Sequence, residues 1–130
     1  MEWSRGGAPR RMAPPPSRQQ TGAIAENLAL AHLERGGARL LARNYRCRQG
    51  EVDMIMRDGD VIVFVEVRLR AAGGLVSAAE SIDAHKQRRI VTAARHYLAG
   101  RAEAPCRFDC VLLDRLDAGA VRWIRNAFDA

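Results

Sequence analysis

Residues 51 to 70 read EVDMIMRDGDVIVFVEVRLR, and the Asp58-Gly59 pair near the middle constrains this chain more than any other feature. Asp-Gly flanked on both sides by strand-forming residues dictates a two-residue β-hairpin. The apolar residues on either side recur at every second position, the period of a strand. Hairpin register then follows from the turn. With Arg57 facing Asp60, Ile55 opposes Ile62, Asp53 opposes Phe64 and Glu51 opposes Glu66. One face of the hairpin therefore carries Glu51, Asp53, Ile55, Ile62, Phe64, Glu66, Arg68 and Arg70. The other carries Val52, Met54 and Met56 with Val61, Val63, Val65 and Val67, which is a core face.

In this register Asp53 and Glu66 are diagonal neighbours, with Cα atoms about 7 to 8 Å apart, close enough for both carboxylates to hold one ion. Mg²⁺ or Mn²⁺ suits such a pair. Mg²⁺ takes oxygen ligands and commonly accepts one or two carboxylates while waters and substrate phosphate complete its shell. Three acids on a face that also bears Ile55, Ile62 and Phe64 repel one another unless a metal or arginines supply positive charge. Glu26 lies on one helical stripe with Leu30 and Leu33, which points it inward, where it can border the site or pair with an arginine.

The remaining elements fall around the hairpin. Ser17 to Gln20 has the S-x-x-Q form of a capping box and opens a helix that Gly36 and Gly37 end. Strands follow over 39–46, 51–57 and 60–70, then a loop over 71–77. A second helix spans 83–98, and two strands near 108–113 and 120–124 close the chain. The order αβββαββ gives an α/β sheet of about five strands with helices packed on it. Residues 1–18, rich in Pro and Arg, cannot form a packed core and read as a disordered arm before a domain over 19–130.

Charge and composition narrow the function classes. The chain of 130 residues carries a net +6, half of it in the arm, and its 21 cations are 20 arginines and the single lysine Lys86. No run of roughly 18 to 20 apolar residues offers a membrane span, and no secretory segment opens the chain, so the expected location is the cytoplasm. Cys47, Cys106 and Cys110 lack C-x-x-C spacing and read as reduced, mostly buried thiols. No phosphate-cradling glycine motif occurs, and His32, His85 and His96 have no common metal-ligand spacing.

Several ordered motifs between Gly22 and Phe128 resemble the YraN-like bacterial proteins, which are similar in fold to restriction-endonuclease-like nucleases and archaeal Holliday-junction resolvases. The resemblance rests on Glu26 with Ala29 and Leu33, on LLARNYR over 40–46, on Gly50-Glu51-Val52-Asp53, on Phe64-Val65-Glu66-Val67-Arg68 with Arg70, on Lys86 with Arg89, and on Asn126-Ala127-Phe128. It implies a restriction-endonuclease-like fold with a central mixed sheet. It also implies that Asp53 and Glu66 are the metal-binding acids of a D…E-x-K signature, that Glu26 is the acid of the first helix, and that Arg68 stands where the pattern expects lysine.

That last position is a real departure. A lysine in a metal site can lose its proton and help activate water, whereas a guanidinium stays charged and cannot act as a general base. Arg68 can still bind the scissile phosphate. Lys86 begins an inward-facing stripe with Ile90, Ala93 and Tyr97, so it reaches towards the acids, contacts phosphate beside Arg89 and Arg70, or is a solvated residue at the helix start. The expected function is nucleic-acid binding of the endonuclease-like type, DNA before RNA, with Mg²⁺- or Mn²⁺-dependent phosphodiester hydrolysis by Asp53, Glu66, Arg68 and Glu26. Two alternatives stand beside it, a non-catalytic nucleic-acid-binding module with a degenerate site and a protein-interaction domain. A homodimer would suit branched substrates.

Overall fold

The computed structural model describes residues 14–15, 17–70 and 82–130. The loop expected over 71–77 and nearly all of the arm lie outside the described residues. The elements run α1 (Arg18–Arg35), β1 (Arg39–Cys47), β2 (Gly50–Asp58), β3 (Val61–Leu69), α2 (Ala84–Leu98), β4 (Cys106–Leu113) and β5 (Val121–Phe128), with a 3₁₀ turn at Ala118–Ala120 before the last strand. This is the expected αβββαββ order. The five strands form one sheet in sequence order, antiparallel except where β3 runs parallel to β4 across the α2 crossover. A five-stranded mixed sheet flanked by two helices agrees with the restriction-endonuclease-like arrangement.

Local chemistry sets the helix ends. The Gln20 amide donates to Ser17 Oγ over 3.1 Å and the Ser17 amide to Gln20 Oε1 over 2.8 Å, so the capping box closes both ways. At the other end, a Cβ on Gly36 would stand 2.7 Å from the Trp123 ring, which lets α1 finish against β5. Helix α2 starts at Asp83, whose carboxylate accepts the Lys86 amide over 2.8 Å.

The hairpin register differs from the expected one. Asp58 pairs with Val61, Ile55 with Phe64 and Met54 with Val65, so the turn residues are Gly59 and Asp60 rather than Asp58 and Gly59. Gly59, at φ 62°, takes the left-handed conformation at the first turn position, where a residue without a Cβ meets no steric penalty. The slip is by two positions, so the paired residues from Met54 to Val65 stay on their expected faces.

The division into an apolar face and a site face also needs correction, because both faces are buried. Helix α1 places Ala25, Ala29 and Leu33 on Met54, Met56, Val63, Val65 and Val111. On the opposite side, α2 places Ile90, Ala93 and Ala94 on Ile55, Phe64, Phe108 and Leu112. A parallel crossover delivers a helix to the second face, and the sheet is covered on both sides. Val52, expected with Met54, joins Ile55 in the core beneath α2. The alternation thus slips around Asp53, directly across β1 from Asn44, which has φ 51° between the pairs Arg43 with Met54 and Tyr45 with Val52. Cys110 is buried as expected, whereas Cys106, at the first position of β4, is exposed.

Candidate metal centre

The acids gather where β2 and β3 part. The paired register ends at Met54 and Val65, and one further step sets Asp53 across from Glu66 rather than diagonal to it. There the Val67 amide donates to the Asp53 side chain, at Oδ2, over 2.8 Å, in place of a backbone ladder contact. Glu66 is 3% exposed. Burial first, then the charge of Asp53 and a hydrogen bond with it, push the Glu66 carboxyl up to about 8, against weaker opposing pulls from Lys86 and Arg68.

Three cations gather around Glu66 and the neighbouring Glu51. Arg68 Nε lies 3.2 Å from Glu66 Oε2. The Lys86 ammonium lies 3.8 Å from Glu66 Oε1 and donates to Glu51 Oε1 over 3.0 Å. Arg89 Nε stands 3.5 Å from the same Glu51 oxygen. Glu51 is accordingly held below its ordinary range, chiefly by its hydrogen bond with Lys86. Lys86 therefore reaches the acids from the first turn of α2, the inward one of the alternatives left open by its stripe.

Other expected site residues sit further out. Glu26 accepts from Arg43 Nη2 and Asn44 Nδ2, both over 3.3 Å, and its hydrogen bonds among the described residues go to these two residues of β1 rather than to Asp53 or Glu66. Arg43 also donates to Asn27 Oδ1 over 3.0 Å, tying α1 to β1. Arg70 Nε lies 3.4 Å from Asp114 Oδ1, on the β4 side of the sheet.

The donor set fits a hard divalent cation. Glu66 Oε1 is buried and has no hydrogen-bond partner among the described residues, and a carboxyl that burial and a second carboxylate drive towards protonation would ionise readily beside such an ion. Among the described residues no group of three or more His, Cys, Asp or Glu side chains is arranged to hold a metal. Two carboxylates completed by water and phosphate oxygens remain a normal Mg²⁺ environment.

Two features escaped the sequence reading of the site. Gly50 has no room for a side chain, since a Cβ there would stand 2.7 Å from the Ala93 nitrogen and 2.9 Å from the Arg89 oxygen. The start of β2 thus presses on the backbone of α2 and carries Glu51 to Lys86. The signal was the Gly50-Glu51 step two residues before Asp53. The second feature is Asp109, fully buried, which accepts from Arg107 Nε over 3.0 and 3.1 Å, from Trp123 Nε1 over 2.8 Å and from the Asn126 amide over 3.0 Å. Arg107 continues to Asp58 Oδ2 over 2.7 Å. A lone acid inside the apolar run of 108–113 was its signal.

Comparison with known proteins adds a family. The model of the uncharacterised protein family UPF0102 matches residues 25–113, a span that includes Glu26, Glu51, Asp53, Glu66, Arg68, Lys86 and Arg89. A UPF0102 protein of Cupriavidus taiwanensis is 56% identical over 119 residues, covering 88% of this chain and 87% of the relative. One from Dechloromonas aromatica is 52% identical over 109 residues, covering 84% and 88%. One from Nitrosomonas europaea is 51% identical over 109 residues, covering 83% and 92%.

Proposed function

The chain belongs to the UPF0102 family, and we propose that it binds nucleic acid and hydrolyses phosphodiesters with a divalent cation held by Asp53 and Glu66. One observation carries this reading. A buried carboxylate with an open oxygen sits beside a second carboxylate, between Lys86 and Arg68, with Arg89 on the neighbouring Glu51. Buried acids without a full set of partners are costly, and a site that binds Mg²⁺ or Mn²⁺ accounts for them.

When bound, the cation supplies polarisation of the phosphate and a lowered pKa for water. The chain's own residues do the rest. Lys86 and Arg68 approach the acid pair from α2 and from β3, so both can bear on the negative charge of a phosphate seated there. Arg68 orients and neutralises without exchanging its proton. Helix α2 carries Lys86, Arg88, Arg89 and Arg95 and no acid, a composition suited to following phosphates. DNA is the expected partner before RNA, and a twofold dimer would present two such sites to a branched substrate.

The ion pair between Arg68 and Glu66 favours a second reading, a nucleic-acid-binding module in which arginine has closed the metal seat. Incubation with linear, flapped and branched DNA in Mg²⁺ or Mn²⁺ separates the two. Cleavage lost in Asp53→Ala and Glu66→Ala supports the hydrolase. Cleavage that appears only after Arg68→Lys supports the closed module, and cleavage unaffected by Asp53→Ala rejects the proposed site.

A further inference from the structure

Glu51 meets no metal-ligand requirement of its own, yet it is fixed more firmly than an ordinary surface acid. The Gly50 contact sets the start of β2 against α2 at Arg89 and Ala93, and the Asp83 cap fixes the backbone of Lys86 in the first turn of the same helix. The result is an asymmetric arrangement of one ammonium between two carboxylates. Lys86 is within hydrogen-bond distance of Glu51 Oε1, at 3.0 Å, and beyond it from Glu66 Oε1, at 3.8 Å. Glu66 Oε1 is left without a hydrogen-bond partner although its residue is 3% exposed. Arg89 adds a second cation to the same Glu51 oxygen, at 3.5 Å.

We infer that Glu51 is a positioning residue that holds the Lys86 ammonium off Glu66 Oε1 and so keeps that oxygen open to a divalent cation. This role rests on the proposed reading of Asp53 and Glu66 as the metal pair. The physical argument is competition. A lysine ammonium and a divalent cation both seek the same buried carboxylate oxygen, and the flexible four-carbon stem lets the ammonium close the remaining gap once its other partner is removed. Glu51 therefore strengthens metal binding without touching the metal, by giving Lys86 a better place to be. A carboxylate that acted only through its own negative charge would help the metal whether or not Lys86 were present, and the two accounts differ there.

The test is a double-mutant cycle on Mn²⁺ affinity, read by calorimetry or by the spin resonance of free Mn²⁺, on the full chain without nucleic acid. Glu51→Gln is expected to weaken Mn²⁺ binding roughly tenfold, the scale of one charge-assisted hydrogen bond. Lys86→Met is expected to tighten it, and Glu51→Gln added to Lys86→Met to change it by less than about twofold. Equal weakening in both backgrounds overturns the positioning role and leaves the metal site standing. No Mn²⁺ binding by the wild type overturns the metal site and this role together. Glu51→Asp, which keeps the charge but shortens the reach, is expected to behave like Glu51→Gln, and it carries the test should the glutamine variant fail to fold. Because Lys86 is the only lysine, lysine-selective labelling gives one side-chain signal. That signal is expected to shift in metal-free Glu51→Gln, and an unmoved signal overturns the contact.

Discussion

The raised Glu66 carboxyl predicts a pH-dependent stability. It is raised from an ordinary 4.5 to about 8 by burial and by Asp53, so the folded state binds that proton more tightly than the unfolded chain does. Stability from this group is complete below about pH 4.5 and is lost as the pH rises through 8. Urea titrations between pH 5 and 8.5 are expected to show a falling midpoint that Glu66→Gln flattens and that saturating Mg²⁺ opposes. A slope unchanged in Glu66→Gln would assign it elsewhere. Asp109 is the opposite kind of buried acid, one with every partner in place. Asp109→Ala leaves the Trp123 indole and the Asn126 amide without their acceptor and Arg107 with Asp58 alone, and a loss of about 3 to 5 kcal/mol is expected in denaturant unfolding. Neither behaviour was legible from residue type. The sequence marks both positions only as acids among apolar neighbours, and what separates them is the number of donors that other strands bring.

At the scale of elements, helix ends and strand periods are local and could be read directly. Ser17 with Gln20, Gly36 after α1 and the alternating run of β3 each act within a few residues. The hairpin shows where such reading stops. A two-position slip keeps the faces of the paired residues and changes each partner, and it turned a diagonal pair of acids into a directly opposed one, while Val52, beyond the paired stretch, lies on the face opposite to the expected one. The contact of β2 with α2 joins residues far apart in sequence, so its effect is visible only in the fold. Gly50→Ala places a methyl against the backbone of Ala93 and Arg89. A cost of about 1 to 3 kcal/mol is expected from the forced separation. The same variant is expected to show the Lys86 resonance shift of Glu51→Gln, and a normal resonance would mean that Glu51 reaches Lys86 without the close approach.

Over the whole molecule, the net charge of +6 says less than where the charge is placed. Half of it comes from residues 1–18, while α2 concentrates four cations without an acid, the first of them, Lys86, beside the candidate metal pair. If α2 follows phosphates, Arg88→Ala and Arg89→Ala each lower the slope of log affinity for DNA against log salt by about one, with little change in sequence preference. Binding measured from low to physiological salt checks this, and a slope unmoved by either substitution removes α2 from the interface. Among the described residues no helix is long and apolar enough to cross a membrane.

The sequence by itself determined the element order, the hairpin and the parity that puts Asp53, Glu66 and Arg68 on one face, because period, capping and turn chemistry are local and repeat within a few residues. Only the tertiary structure decided that this face is buried beneath a second helix, that Glu26 turns to Arg43 and Asn44, and that Lys86 arrives at the acids. Those outcomes depend on a parallel crossover and on one glycine that lets two backbones touch, and such contacts leave no periodic trace along the chain.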